Sequence, residues 1–298
     1  LYRHRKSKKI NKLPEYNAIK EINALLWCNY ILMIKKYAVI GNPISHSLSP
    51  VIHREFAQQH NIKLGYEKIL AEEGSFKELV KKLVIEGYSG INVTLPFKLE
   101  AASLSDEKSI NVELTKSANT LTFHDGKIIS DSTDGIGLVN DLRKNNFSLG
   151  DKNILLLGAG GAANGVIPEL LKCSPKKIFL WNRTLRKVEE MKAYWLSHYP
   201  EKIEVMNTIF LENIDLIINA TSSSMSSSSP PINLTSANNE LVCYDMMYGE
   251  KTPFIKAAED LKLINFDGLG MLIEQAAASF KIWHSLEVDT KIVEKKLR

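Results

Sequence analysis

The chain has 298 residues, 44% of them hydrophobic and 24% charged, which is ordinary for a globular protein and long enough for about two domains. Its formal charge of +4 is concentrated at the front: residues 1–33 hold seven lysines and arginines against only Glu15 and Glu21. The remainder is close to neutral, so nucleic-acid binding by the folded body has no electrostatic support. No apolar run reaches the roughly 18 residues of a membrane helix.

Cys28, Cys173 and Cys243 are sparse and fall in no metal-ligand spacing, which suits inert thiols in a reducing compartment. The seven histidines form no HExxH or Cys/His cluster, so no metal is expected. Residues 1–33 are read as an extension outside the fold. A basic stretch followed by the apolar run Ala24–Ile34 has some features of a signal or transit peptide, but Asn29 interrupts it and no small-x-small cleavage site follows. The preferred reading is that translation begins at Met33.

Taking the body in order, Tyr37–Ile40 reads as a first strand closed by the turn signal Gly41-Asn42-Pro43. A helix is expected over Val51–His60, with Ser49 as N-cap and Pro50 at the first helical position. Phe76, Leu79, Val80, Leu83 and Val84 follow helical spacing over residues 76–86. Gly90–Leu95 is β-rich and stops at Pro96. Asn153–Leu157 is a buried-type strand, followed by the turn Gly158–Ala163 and an apolar helix to about Leu171. Ile178–Trp181, Asp215–Asn219 and Leu241–Tyr244 read as further strands. Ser222–Ser229 with Pro230 and Pro231 is low in complexity and reads as a loop. Met271–Leu286 has helical apolar spacing and is expected to fold back on the first half. No internal repeat is present. The fold class is α/β: an N-terminal α/β domain, a Rossmann-type doubly wound nucleotide-binding domain and a C-terminal helix returning to the first.

The strand–GAGGAA–helix unit matches the dinucleotide fingerprint G-x-G-x-x-G/A. Gly158 permits the tight turn, Gly160 lets the backbone approach a pyrophosphate, and Ala163 permits close packing of helix on strand. The helix N-terminus then offers free N–H groups to phosphate. Gly158, Ala159, Gly160, Gly161 and Ala162 are therefore cofactor candidates. After the next strand come Asn182, Arg183, Thr184, Leu185, Arg186 and Lys187, with no acid before Glu189. An NAD enzyme places an acid here. Cations and a hydroxyl instead fit a 2′-phosphate, with Arg183 as its fork. NADP is the expected cofactor.

Several polar stretches sit where packing does not call for them. GNPISHSLSP (41–50), NVTLPFK (92–98), SANTL (117–121) and STDGIG (132–137) precede LGAGGAA (157–163). NRT (182–184), NATSSS (219–224), YDMMYGEKTPF (244–254) and DGLGMLIEQAA (267–277) follow it. In this order they resemble the shikimate dehydrogenase family from about Lys36 to the C-terminal helix. The resemblance implies a cytoplasmic NADP-dependent oxidoreductase of aromatic amino acid and chorismate biosynthesis, reducing 3-dehydroshikimate to shikimate. It implies a small-molecule substrate, no nucleic-acid or membrane partner, and a monomer or homodimer. A quinate/shikimate dehydrogenase of broader cofactor use and a catalytically silent dinucleotide-binding regulator are the alternatives. Retention of the lysine and of the TDG aspartate argues against the second.

By the same resemblance, Lys98 is the general acid/base and Asp134 its partner. Burial and a neighbouring carboxylate push a lysine in opposite directions. Ser47 and Ser49 resemble the pair holding the substrate carboxylate. Thr94, Asn119 and Gln275 resemble the groups that meet ring hydroxyls, and Tyr248 a further substrate contact. Thr221, Met246, Gly268 and Met271 complete the cofactor set, with Met246 and Gly268 flanking the nicotinamide. Two positions depart from the family: Lys187 stands where arginine is frequent, and Ser224 where glycine is usual. The implied domains are 34–133 for substrate, completed by 268–298, and 134–267 for NADP. The catalytic pair is expected on the hinge side of the cleft between them.

Overall fold

The computed structural model describes residues 34–199, 201–221 and 232–298. The expectations for residues 1–33, including Cys28 and Met33, and for the serine-rich run with Ser224 fall outside the described residues.

Two six-stranded sheets organise the chain. The first is built from β1 (Lys35–Gly41), β2 (Leu64–Leu70), β3 (Tyr88–Val93), β4 (Glu107–Lys108), β5 (Thr120–His124) and β6 (Lys127–Asp131), in the order β2-β1-β3-β5-β6-β4. β1 lies parallel to β2 and β3, β5 runs antiparallel to β3 and β6, and β4 is parallel to β6. Connecting helices are α1 (Ser49–Gln59), α2 (Phe76–Ile85), α3 (Lys98–Leu104) and α4 (Ile110–Thr115). β1 and β3 have burial on both faces, which explains their near-continuous apolar runs.

After α5 (Asp134–Lys144) comes a sheet that is parallel throughout, from β7 (Asn153–Leu157), β8 (Lys177–Trp181), β9 (Ile203–Val205), β10 (Leu216–Asn219), β11 (Val242–Asp245) and β12 (Ile264–Phe266). Its order is β12-β11-β10-β7-β8-β9. The strand order reverses between β7 and β10, the topological switch point of a doubly wound dinucleotide fold. Helices α6 (Gly161–Lys172), α7 (Leu185–Leu196) and α8 (Pro253–Asp260) link these strands. Leu155 and Leu157 feed a core with Ile217, Phe254 and Ile255 on one face, while Ile154 and Leu156 pack with Val166, Leu170 and Leu138 on the other.

The chain returns through α9 (Leu269–His284) and ends with α10 (Thr290–Leu297). Met271, near the start of α9, belongs to the core of the second sheet. Ile273, Ala276 and Phe280 pack with Ile52 and Phe56 of α1, beside the first sheet. Trp283 stacks on Tyr37 at 4.4 Å between centroids and donates from Nε1 to Leu121 O at 3.3 Å. The returning helix thus docks on the first half, as its spacing implies, but it spans Leu269–His284, two residues earlier than expected at each end.

The start of α1 departs from expectation. Leu48 is the N-cap and Ser49 is already helical, so Pro50 takes the second helical position. Leu48 O accepts from both Val51 N and Ile52 N at 3.0 and 3.1 Å, which pulls the helix start back by one residue. Its N-cap makes no side-chain hydrogen bond, and the Ser49 hydroxyl instead faces Ser47. The short strands β9 and β12 and the β5–β6 hairpin lie outside the sequence expectations; the hairpin turns at Asp125-Gly126, both with positive φ. No helix among the described residues is long and apolar enough to cross a membrane.

The crossing of α5 over α9 is the tightest inter-helix contact on the path between the sheets. A Cβ placed on Gly137 would meet Met271 O and Gln275 Cβ at 2.7 Å. Gly137→Ala gains about 1 kcal/mol of helix propensity, but overpacking against rigid backbone costs about 1–3 kcal/mol. Urea denaturation of this variant is expected to show a lower midpoint at an unchanged slope.

Candidate active site

Lys98 is the first residue of α3, placed there by the end of β3 and the turn through Pro96. Phe97, buried and stacked on Phe76 at 5.0 Å, anchors that turn. Asp134 is the first residue of α5, where a carboxylate is favoured by the helix dipole. The two meet: Lys98 Nζ donates to Asp134 Oδ2 at 2.6 Å, with side chains 17% and 10% exposed. Asn119 Nδ2 donates to the other oxygen, Oδ1, at 2.9 Å. Both carboxylate oxygens are therefore fixed, and the ammonium keeps an edge toward solvent.

Asn119 gathers the neighbouring groups. Its second Nδ2 hydrogen is shared between Thr133 Oγ1 at 2.9 Å and Gln275 Oε1 at 3.1 Å, while its Oδ1 accepts from Thr133 N and Thr120 Oγ1. Gln275 Nε2 donates to Leu272 O one turn back, which orients its amide toward Asn119. Lys98, Asp134, Asn119 and Gln275 thus come together from α3, α5, the entry to β5 and α9. In this arrangement Asn119 holds Asp134.

The predicted carboxylate pair stands at the start of α1. Ser47 Oγ donates to Ser49 Oγ at 3.2 Å and accepts from Ser49 N at 3.3 Å. A buried seam joins the two halves. The Tyr66 hydroxyl interacts with Ser49 and donates to Asn92 Oδ1 at 2.7 Å. The two Asn92 Nδ2 hydrogens are shared among Asn119 O, Thr120 Oγ1 and Ser279 Oγ, all at 3.1–3.2 Å. Sequence reasoning places no role on Asn92, Tyr66 or Ser279. Asn92 at an otherwise apolar strand end is the one usable signal; Ser279 and Tyr66 carry none until the fold assembles them. Thr94 sits against Gly41, whose added Cβ would lie 2.4 Å from Thr94 Cγ2. Tyr248 packs with Leu48 and Leu269, and burial pushes its hydroxyl up, offset by a hydrogen bond to the Leu48 backbone.

The nucleotide candidates assemble at the carboxyl ends of the parallel strands, where this fold binds ligands. Gly158 adopts φ +114°, and a Cβ there would sit 3.1 Å from Ala220 O. Its N–H donates to Trp181 O at 2.7 Å, drawing the turn beside the end of β8. Gly160 caps α6 without any side chain, and a Cβ added at Gly160 or Gly161 meets nothing within 4 Å. The turn with Ala159 and Ala162 therefore presents unshielded helix N–H groups to open space, as a diphosphate requires. Asn182 Nδ2 donates to Thr184 O at 3.1 Å and shapes the adjoining loop. Arg183 and Lys187 are exposed there without a carboxylate partner among the described residues, whereas Arg186 leans on Glu190 at 3.6 Å. Thr221 Oγ1 donates to Asn219 Oδ1 at 2.7 Å, and Asn219 Nδ2 donates to Asp245 Oδ2 at 3.1 Å, bracing the ends of β10 and β11. Met246 follows β11. Gly268 lies so close to it that a Cβ would be 2.3 Å from Met246 O. These features fit a dinucleotide carrying a 2′-phosphate.

Comparison with known proteins agrees. Residues 39–121 match the family model of the shikimate dehydrogenase substrate binding domain, and 141–238 that of shikimate / quinate 5-dehydrogenase. Residues 268–298 match the shikimate 5′-dehydrogenase C-terminal domain. The chain is 44% identical over 269 residues to the shikimate dehydrogenase (NADP(+)) of Legionella pneumophila (strain Corby), covering 89% of this chain and 99% of that one. The crystal structure of shikimate dehydrogenase from Aquifex aeolicus is similar with a TM-score of 0.82 and 32% identity, over 89% of this chain and 98% of that one. A Thermus thermophilus shikimate 5-dehydrogenase solved with NADP(H) and shikimate gives a TM-score of 0.80 at 26% identity, over 88% and 98%.

The wall behind Ser49 carries its own titration. His53, one turn further along α1, is wholly buried and stacked on Tyr66 at 4.4 Å. Its polar neighbour is the Asn92 side chain, which opposes the effect of burial only weakly. Burial, reinforced by His284, pushes His53 down to about 3, and burial pushes His284 down to about 4. Both stay neutral in the fold while the unfolded chain protonates near 6.5. Stability is therefore full above that pH and is lost as pH falls from about 6.5 toward 4. One such proton gives a slope of about 1.4 kcal/mol per pH unit. His53→Phe is expected to flatten the slope, read from denaturation midpoints across that range.

Proposed function

The chain belongs to the shikimate dehydrogenase family, and from that premise we propose how its side chains divide the work of reducing 3-dehydroshikimate reversibly to shikimate with NADPH. The observation that carries the assignment is the Lys98–Asp134 contact at 2.6 Å, with Asn119 holding the second carboxylate oxygen. NADPH, when bound, supplies the hydride that goes to the carbonyl carbon. Lys98 gives a proton from Nζ to the carbonyl oxygen as that oxygen becomes a hydroxyl. It is left neutral and regains its proton from water at its 17% exposed edge. In the oxidation direction the neutral amine takes the hydroxyl proton. Asp134 aims the ammonium and accepts from the neighbouring substrate hydroxyl.

Ser47 and Ser49 take the substrate carboxylate. Thr94, Gln275 and Asn119 read the ring hydroxyls, and Tyr248 closes over the ring from the nucleotide side. The Gly158–Ala162 turn takes the pyrophosphate. Arg183, Thr184 and Lys187 take the 2′-phosphate beside Asn182. Thr221, Met246, Gly268 and Met271 line the nicotinamide end. The units acting in closure are residues 34–133 with 268–298, and residues 134–267. In support, each holds one sheet, and Asp134 begins the segment between them. The cytoplasm is the proposed compartment; Cys173 and Cys243 are free thiols.

Lys98→Ala is expected to lower turnover by at least about a hundredfold, the lower range for a lost general acid, while fluorescence still reports NADPH binding. Retained turnover would remove Lys98 from its role. Arg183→Ala should raise the Michaelis constant for NADPH far more than that for NADH; equal change in both would refute the 2′-phosphate contact. Assays with shikimate and quinate, each offered with NADP and with NAD, check substrate and cofactor together. Comparable rates with quinate and NAD would favour the broader quinate/shikimate enzyme.

A further inference from the structure

Asp141 lies on α5 two turns beyond Asp134. It is 2% exposed and takes no part in the assigned chemistry. Its Oδ2 accepts from the Tyr244 hydroxyl of β11 at 2.6 Å, and its Oδ1 accepts from Asn145 Nδ2 at 3.1 Å. Gly270 of α9 presses on the same carboxylate, since a Cβ there would sit 2.1 Å from Asp141 Oδ1. Burial pushes Asp141 up to about 6, against the Tyr244 hydrogen bond and Lys144, and with Glu294 and Glu274 also raising it. A carboxylate kept where its charge is disfavoured is poorly explained by stability alone.

The other side of Tyr244 shows what the contact serves. The first N–H groups of any helix have no partner within it. Gly268, as N-cap of α9, has no side chain to supply one. The start of α9 instead packs on this pair: Gly270 sits against the Asp141 carboxylate, and Met271, third in the helix, shares the core cluster of Tyr244. One buried hydroxyl therefore donates to the middle of α5 at the point where the start of α9 packs against both residues. The start of α9 carries Met271 beside Gly268 and Met246. α5 carries Asp134 at its own start.

We propose that the Asp141–Tyr244 hydrogen bond is a positioning strut for hydride transfer, holding the nicotinamide-facing start of α9 at a fixed offset from the helix that begins at Asp134. The inference rests on the role assignment above. Neither residue touches substrate, and both act through Met271 and Asp134. Loss of the strut lets the two helix starts drift, which misplaces the reacting substrate carbon against the cofactor without removing any binding contact.

The test is stopped-flow measurement of single-turnover hydride transfer, followed by NADPH absorbance with shikimate and NADP, on the full chain and on Tyr244→Phe. The variant keeps the ring and removes only the hydroxyl. The expected result is a hydride-transfer rate lower by about tenfold to a hundredfold, the scale of a misplacement near 1 Å, with dissociation constants for shikimate and NADP within about twofold of the parent, as expected when only transition-state geometry is lost. Asp141→Asn, which keeps an acceptor for Tyr244, should retain most of the rate, and Asp141→Leu should not. An unchanged rate in Tyr244→Phe overturns the strut. So does a loss matched by weakened binding of both ligands, which is what a purely structural role predicts. If Tyr244→Phe fails to fold, the Asn and Leu pair decides by the same rate. Absence of shikimate oxidation by the unaltered enzyme overturns the parent assignment instead, and is read before any variant is made.

Discussion

Everything in the site depends on how α5 crosses α9. The first helix begins at Asp134 and the second carries Gln275, and each makes contacts with both sheets or with the segments between them. Gly137 and Gly270 let backbone and carboxylate approach where any Cβ would collide. Close packing transmits position because interiors are dense and do not deform continuously. Crossing at that distance brings Gln275 Oε1 to 3.1 Å from Asn119 Nδ2, and Asn119 in turn fixes Asp134. The Asp134 carboxylate is thus held by two helices and one strand entry rather than by its own rotamer.

The Lys98–Asp134 pair makes sense only in that setting. A buried ion pair is weak evidence of stability, since desolvation offsets much of the Coulomb gain. Here the carboxylate is compensated three ways: by Lys98, by the Asn119 amide and by the start of a helix. The lysine retains a partly exposed edge, so its charge is only partly desolvated. The same contacts that make the pair tolerable in the fold also aim Nζ.

Much of this is legible in the sequence, for identifiable reasons. Asn153–Leu157 matches β7 residue for residue because a strand buried on both faces needs an unbroken apolar run. The GAGGAA turn is legible because glycine there answers a steric demand, seen at Gly158 with φ +114°. Lys98 and Asp134 come through resemblance alone; 36 positions apart in the chain, they share no local pattern. Ser49 reads as an N-cap because a serine before proline favours that role locally, whereas the Leu48 carbonyl and the Ser47 hydroxyl settle the turn differently. β9, only three residues long, has too little pattern to read; it exists because β8 offers it an edge. Tyr66, Ser279 and Asp141 are invisible as site residues, since their significance arises only from partners distant in sequence.

Those unread residues are polar groups placed inside the core, and their arrangement explains how the site keeps one geometry. Asn92, Asn119, Thr120, Thr133 and Ser279 are all buried and bonded to one another. A buried amide or hydroxyl left unpaired costs about 1–3 kcal/mol, so any alternative packing that breaks one link of the cluster carries that penalty without return from water. Apolar residues of equal volume would tolerate several packings at similar energy. The satisfied network admits few, and it joins β3, β5, the start of α5 and α9 at once. Directional bonds therefore do here what hydrophobic burial cannot. Burial brings the four elements together, while the network sets the register in which Asn119 meets Asp134.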